Sequence, residues 1–183
     1  AFWAFVSLLH DHGLKPFFLP GLRRARVACY QLERLTQDRL PTVAQHLATL
    51  GVPYISFGMS WCQTLFSNSL DPAVLDVVWD AFLSVERPAK MAFLLSVMLA
   101  LLSDLDLEAT EPQRAHVVHA NDPRRLLRTA AAFRVEPKQV LDLEAGFEDD
   151  HHDHEDSVFA SYYGHARFRR RHIVASNDKD DEP

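Results

Sequence analysis

Apolar residues recur along this chain at every third or fourth position. Leu22, Ala25, Cys29 and Leu32 form one such stripe. Val43, Ala44, Leu47 and Leu50 form a second, Val74, Leu75, Val78 and Phe82 a third, and Leu126, Leu127 and Ala130 a fourth. This is the period of a helix that buries one face. Punctuation agrees with it. Asp71-Pro72 and Asp122-Pro123 each place an N-cap residue before proline at the first helical position, and Pro88, Pro112 and Pro137 suit the same N1 role. Gly51 suits the C′ position after the second stripe. The run Met91 to Leu102 is apolar nearly all round, so a helix from Pro88 to Ser103 should lie at the centre of the fold. It is too short for a bilayer, which needs about 20 apolar residues. No stretch alternates apolar and polar residues as a strand would. The pattern predicts roughly eight helices of modest length, an all-α fold without bundle symmetry.

Composition sharpens this picture. The chain has 183 residues, 48% of them hydrophobic, enough to bury the core of one domain. Its net charge of −6 argues against a globally basic nucleic-acid binder. Residues 1–105 carry 8 basic and 8 acidic side chains, and residues 106–183 carry 11 and 17, so the excess lies towards the C-terminus. The expected organisation is a helical body over 1–147 and a charged tail over 148–183, acidic and His-rich and then basic, mostly disordered. Two cysteines, Cys29 and Cys62, fit a reducing compartment and read as small core residues. The chain opens at Ala1 directly into Phe2-Trp3-Ala4-Phe5-Val6, which has no signal-peptide character and reads as the interior of a domain.

Local chemistry is sparse. Glu148 to Asp156 mixes six carboxylates with His151, His152 and His154, all competent metal ligands, but nothing around them supplies a scaffold, and a solvated acidic linker is the expectation. Arg167 to His172 is a short basic block suited to a lipid surface, a nuclear-import signal, a phosphate or pairing with the acidic cluster upstream, and Phe159, Tyr162 and Tyr163 read as a docking motif or a helical turn packed on the body. No nucleophile elbow, P-loop or dinucleotide fingerprint occurs. Cys62 and His46 do not read as a catalytic pair, since His46 adjoins the buried stripe at Leu47. His10 and His12 flank Asp11 at a helix end, where histidines meet the helix dipole favourably. No catalytic, cofactor-binding or metal-ligating residue is assigned.

One block is more specific. Trp61, Leu65, Phe66 and Ser67 are followed by Asp71-Pro72, then Val74-Leu75 and Val78-Trp79-Asp80-Ala81-Phe82-Leu83. Physically these are two consecutive helices with a tight link, anchored by large aromatic rings. The pattern W-x-x-x-x-F-S followed by V-L-x-x-x-W-D-x-F-L resembles the later part of a TBC domain, the module that activates GTP hydrolysis by Rab-type GTPases. Pro41 to Val52 resembles a neighbouring stretch of that family, P-x-L-x-x-H-L-x-x-x-G-I, with Val43 and Val52 at the Leu and Ile positions. The segments Ala1 to Phe5, Phe17 to Leu22 and Asn121 to Leu143 fit in order, so the resemblance covers about residues 1–147.

The resemblance implies an irregular all-helical domain, in agreement with the pattern above. It implies a mechanism in which an Arg from I-x-x-D-x-x-R and a Gln from Y-x-Q enter the GTPase site, an Arg finger being worth about 10³- to 10⁵-fold in rate. Neither motif is in this sequence. Its isoleucines are Ile55 and Ile173, neither opening such a motif, and Tyr30 is followed two positions on by Leu32. The expectation is therefore the C-terminal half of a TBC domain, inactive alone and with an apolar patch exposed near its N-terminal segment. It implies a Rab-type partner, to which GTP and Mg²⁺ belong, and no cofactor of the chain's own. It implies a cytoplasmic location that admits peripheral contact with endomembranes. The alternative is a catalytically inactive TBC-like scaffold that binds GTPases or other trafficking proteins. A plain helical adaptor unrelated to GTPases is a third reading.

Overall fold

The protein is described from a computed structural model, over residues 2–105, 107 and 122–151, with backbone alone for 149–151. The described residues form eight α-helices and two 3₁₀ turns with connecting links, and no strand occurs among them. The helices are α1 (Phe2–His10), α2 (Arg23–Arg39), α3 (Pro41–Thr49), α4 (Ile55–Thr64), α5 (Pro72–Ser84), α6 (Lys90–Ser103), α7 (Pro123–Phe133) and α8 (Pro137–His151). The 3₁₀ turns are Lys15–Phe18 and Arg87–Ala89. The chain divides into two units, 1–147 and 148–183, and the first holds the core.

That core is built on α6. Every residue from Lys90 to Leu102 except Phe93 is buried, so the helix that is apolar all round is indeed central. It packs against α2, α4, α5 and α7. The stripes read from the sequence face inwards: Ala25, Cys29 and Leu32 on α2, Val43 and Leu47 on α3, Val74, Val78 and Phe82 on α5, and Leu126 and Ala130 on α7. α8 is bound to α2 by polar contacts. Gln31 Nε2 donates to the Val140 carbonyl at 2.8 Å inside the core, and Arg24 pairs with Glu144 at 2.6 Å. Arg39 donates to the Phe133 carbonyl and to Gln139 Oε1, fixing the α7–α8 link.

The helix ends follow the residues placed there, with exceptions. Asp122 Oδ1 accepts from the backbone N–H of Arg124 and Arg125, a side-chain cap. Asp71 stands at the N-cap of α5 but its carboxylate makes no cap bond. Pro88 does not open the central helix: it sits in the 3₁₀ turn before it, because that turn uses Arg87–Ala89 and α6 starts at Lys90. Leu22 belongs to the approach to α2, in a left-handed conformation (φ 50°), not to its buried stripe. Gly51, with φ 64°, ends α3 as expected. The acidic run from Glu148 begins inside α8, which continues to His151. Three carboxylates in a last turn, Glu148, Asp149 and Asp150, are a poor helix ending, and the burial of Val140 and Phe147 supports the turns before them. Pro112, the rest of the acidic cluster, the basic block and the tail aromatics lie outside the described residues.

Candidate functional site

The block that stood out in the sequence forms the corner between α4 and α5. α4 ends at Thr64, and Leu65 and Phe66 then both adopt the left-handed conformation (φ 47° and 66°). They were expected inside the helix; they terminate it instead, and both are buried. Two successive left-handed residues other than glycine are strained, and the corner shows what holds them. The Phe66 ring lies 6.1 Å from Trp61, and Trp61 packs on Phe57 at a tilt, with centroids 4.9 Å apart. Trp61 Nε1 donates to Ser69 Oγ at 3.0 Å. Trp79 is half-buried, not enclosed, and its Nε1 donates across the link to the Leu65 carbonyl at 3.0 Å. Asp80 is exposed, and its carbonyl accepts from Ser84 Oγ.

Phe82 carries the corner on to α6 and α1. Lys90 is only 5% exposed, its Nζ donates to the Phe82 carbonyl at 2.6 Å, and it stands 4.4 Å from the Phe82 ring centre. Burial pushes its pKa down. His12 packs on the same ring at 6.0 Å, with Nδ1 shielded and without a hydrogen-bond partner. Burial and the neighbouring Lys90 lower its pKa, Asp11 raises it and Arg87 lowers it. The expected dipole effect would raise it, so packing rather than the helix end governs this histidine. Arg87 donates to the His10 carbonyl and so ties the end of α1 to the turn before α6.

α1 itself shows an unusual face. None of its residues is buried; Trp3 is 79% and Phe2 69% exposed, and Phe5, Phe18 and Leu19 are exposed too. Phe2 lies edge-on to Trp3 at 5.4 Å, and Phe5 to Phe18 at 6.4 Å. This is the apolar patch expected at the N-terminal segment, and a patch of this kind marks a contact surface.

No catalytic constellation appears among the described residues. Cys29 and Cys62 are buried; burial pushes the Cys29 thiol up to about 12 and raises Cys62 well above its ordinary value, so neither is a nucleophile near neutral pH. His46 is half-buried with Nε2 shielded and unbonded, an ordinary histidine beside the core. No group of three or more metal-ligating side chains comes together among the described residues, and none of their helices is long and apolar enough to cross a membrane. Several arginines hold structural partners: Arg24 with Glu144, Arg39 with Phe133 and Gln139, Arg87 with His10, and Arg125 with Asp104 at 2.7 Å. The sequence pattern did not mark the Lys90–Phe82–His12 cluster, because its members come from three separate segments.

The sequence matches the model of the Rab-GTPase-TBC domain over residues 1–109. Among curated proteins it is 30% identical over 102 residues to the Ecotropic viral integration site 5 ortholog of Drosophila melanogaster, covering 56% of this chain and 12% of that protein. It is 27% identical over 150 residues to the Ecotropic viral integration site 5 protein of Mus musculus, covering 79% and 18%. It is 29% identical over 108 residues to the Rab GTPase-activating protein eat-17 of Caenorhabditis elegans, covering 59% and 12%. The chain thus spans less than a fifth of the length of these relatives. The matched region contains α1 to α6 and the whole α4–α5 corner. An all-helical body, the paired tryptophan corner and this match agree, and the chain belongs to the Rab-GTPase-TBC domain family.

Proposed function

We propose that this chain is part of a GTPase-activating protein that stimulates GTP hydrolysis by Rab-family GTPases in vesicle trafficking. The observation that carries the reading is the family match over residues 1–109, which spans α1 to α6 with the α4–α5 corner inside it. Relatives named as GTPase activators, eat-17 and GYP5 of Eremothecium gossypii, support it. In this reading the chain regulates an enzyme and is not one. It supplies the packed C-terminal part of the activating module, while the nucleotide and its Mg²⁺ belong to the GTPase. The Arg and Gln finger motifs are not in these 183 residues, so the chain alone leaves hydrolysis unaccelerated. The protein works in the cytoplasm and meets its partners at endomembrane surfaces.

The missing motifs favour one second reading: a TBC-like scaffold that binds GTPases without activating them. Phosphate release from a panel of GTP-loaded Rabs separates the two. The natural full-length protein should accelerate hydrolysis by at least one Rab, and the 183-residue chain should accelerate none. Binding by the full-length protein with no acceleration anywhere in the panel would establish the scaffold, and acceleration by the chain alone would refute the role given to it.

A further inference from the structure

Outside the corner and the aromatic face, α7 carries a concentration of exposed positive charge. Arg124, Arg125 and Arg128 are exposed along one side of this helix, together with Ala131 and Ala132, while Leu126 and Ala130 opposite are buried. Arg134 follows at the left-handed residue that ends the helix and is exposed as well. Arg125 is engaged by Asp104. Arg124, Arg128 and Arg134 have no carboxylate partner among the described residues. The Asp122 carboxylate accepts the backbone N–H groups of Arg124 and Arg125 and forms no ion pair with these side chains. The cations are set on a rigid base, since α7 packs on α6 and Arg39 holds its last turn through the Phe133 carbonyl.

This concentration of positive charge belongs to a chain whose net charge is −6, so it is a local field of opposite sign. Its partner must be anionic. The fully exposed neutral side chains on this helix are Ala131 and Ala132, and its one aromatic residue, Phe133, is half-buried, so the face has no exposed aromatic anchor of the kind that dominates protein–protein contacts. A helix face of this composition suits a broad array of phosphates that guanidinium groups can engage through several donors each. We propose that the arginine face of α7 is a docking surface for an anionic lipid leaflet, with Arg124, Arg128 and Arg134 at the headgroup phosphates. The inference does not depend on whether the parent protein activates a GTPase.

The test is co-sedimentation of the 183-residue chain with phosphatidylcholine vesicles, with and without phosphatidylserine. Binding should require phosphatidylserine and weaken at high salt. Arg124→Gln/Arg128→Gln should lower the partition coefficient more than tenfold, at about fivefold per arginine. Gln45→Glu/Ala48→Glu, on the exposed side of α3, makes the same change in net charge and should keep most of the binding. Circular dichroism confirms that each variant is folded. Absence of phosphatidylserine-dependent binding overturns the proposal. So does parental binding by the arginine variant, which would assign the vesicles to the Arg167–Arg171 block, and so does equal loss in the α3 control. Capture by polyglutamate without capture by vesicles would overturn it in favour of an acidic polypeptide.

Discussion

Replacing Trp79 by Phe removes one hydrogen-bond donor from the α4–α5 corner and keeps most of the ring. The donor reaches the Leu65 carbonyl at 3.0 Å, and Leu65 is the first of two left-handed residues. Each such residue costs about 1–2 kcal/mol against an ordinary helical conformation. The corner must supply that energy through burial and through the bond to Leu65. Loss of the bond costs about 1 kcal/mol, with a further penalty for a carbonyl left poorly solvated. The smaller ring of phenylalanine adds about 1 kcal/mol of lost apolar contact. The total is about 2 kcal/mol, at the low end of these ranges because the indole is half-buried.

Urea denaturation followed by circular dichroism measures this without relying on tryptophan emission. With a slope of about 2 kcal/mol/M, the midpoint should fall by about 1 M and the slope should not change. Trp3→Phe is the control: that ring is 79% exposed, and its loss should shift stability by less than about 0.5 kcal/mol. Hydrogen exchange adds a local reading. The amides of Phe66, Ser69 and Leu70 bond within the corner, to Trp61 and Phe66 carbonyls, and should lose protection in Trp79→Phe before the amides of α6 do. The reasoning is refuted if the two substitutions cost the same, or if protection at 66–70 is unchanged.

Other expectations follow from the same structure. Asp122→Ala should lower stability by about 1 kcal/mol, because its carboxylate caps α7, while Asp71→Ala should cost less than half of that, as its carboxylate makes no cap bond; thermal melting of both variants compares them. Burial and Lys90 hold the His12 pKa below 6.5, so the unfolded chain binds this proton first, and stability should fall as pH drops below about 6.5 until the folded pKa is passed. His12→Phe should flatten that part of the pH–stability profile and leave the profile above pH 7 parallel to the parent's. Gly58→Ala would place a methyl group 3.2 Å from Cys29 Sγ and should destabilise by about 1 kcal/mol despite the better helix propensity, with Cys29→Ala rescuing it in the double variant; urea midpoints of the three decide.

How far the fold was legible follows from which interactions are local. Helix stripes and proline signals act within a few residues, and the buried faces of α2, α3, α5 and α7 match them. Asp122 shows its cap in sequence because the bonded amides are two and three residues away. What escaped depended on distant partners. The end of α4 at Thr64 could not be seen from Leu65 and Phe66, both good residues for a helix interior. The break is held by Trp79, whose indole donates to the carbonyl of Leu65, 14 positions earlier. His12 read as a helix-end histidine because its neighbours in sequence are Asp11 and Gly13, whereas its neighbours in space are Phe82 and Lys90. The α7 arginines were legible as residues but not as a surface, since their exposure on one side depends on how Leu126 and Ala130 seat the helix.

The same distinction explains why the family was legible and a catalytic site was not. The spacing W-x-x-x-x-F-S has a direct structural meaning here. Trp61 lies one turn before the helix end, Phe66 lies beyond it in a left-handed conformation, and the break brings the two rings to 6.1 Å. A continuous helix would put positions five apart on different faces. Trp79 then locks the break from the next helix. Each of these residues answers a packing or hydrogen-bonding demand that the others create, so the pattern marks a fold. Its aromatic anchors carry no charge, acid or nucleophile to place against a phosphate, and its one carboxylate, Asp80, would repel one. On the proposed function, substitutions at Trp61, Phe66 or Trp79 should therefore reduce any GTPase activation by the full-length protein only in proportion to the fraction unfolded. A loss of activation in a variant of undiminished stability would mean that the corner also touches the GTPase, which the burial of Trp61 and Phe66 and the inward hydrogen bonds of both tryptophans argue against.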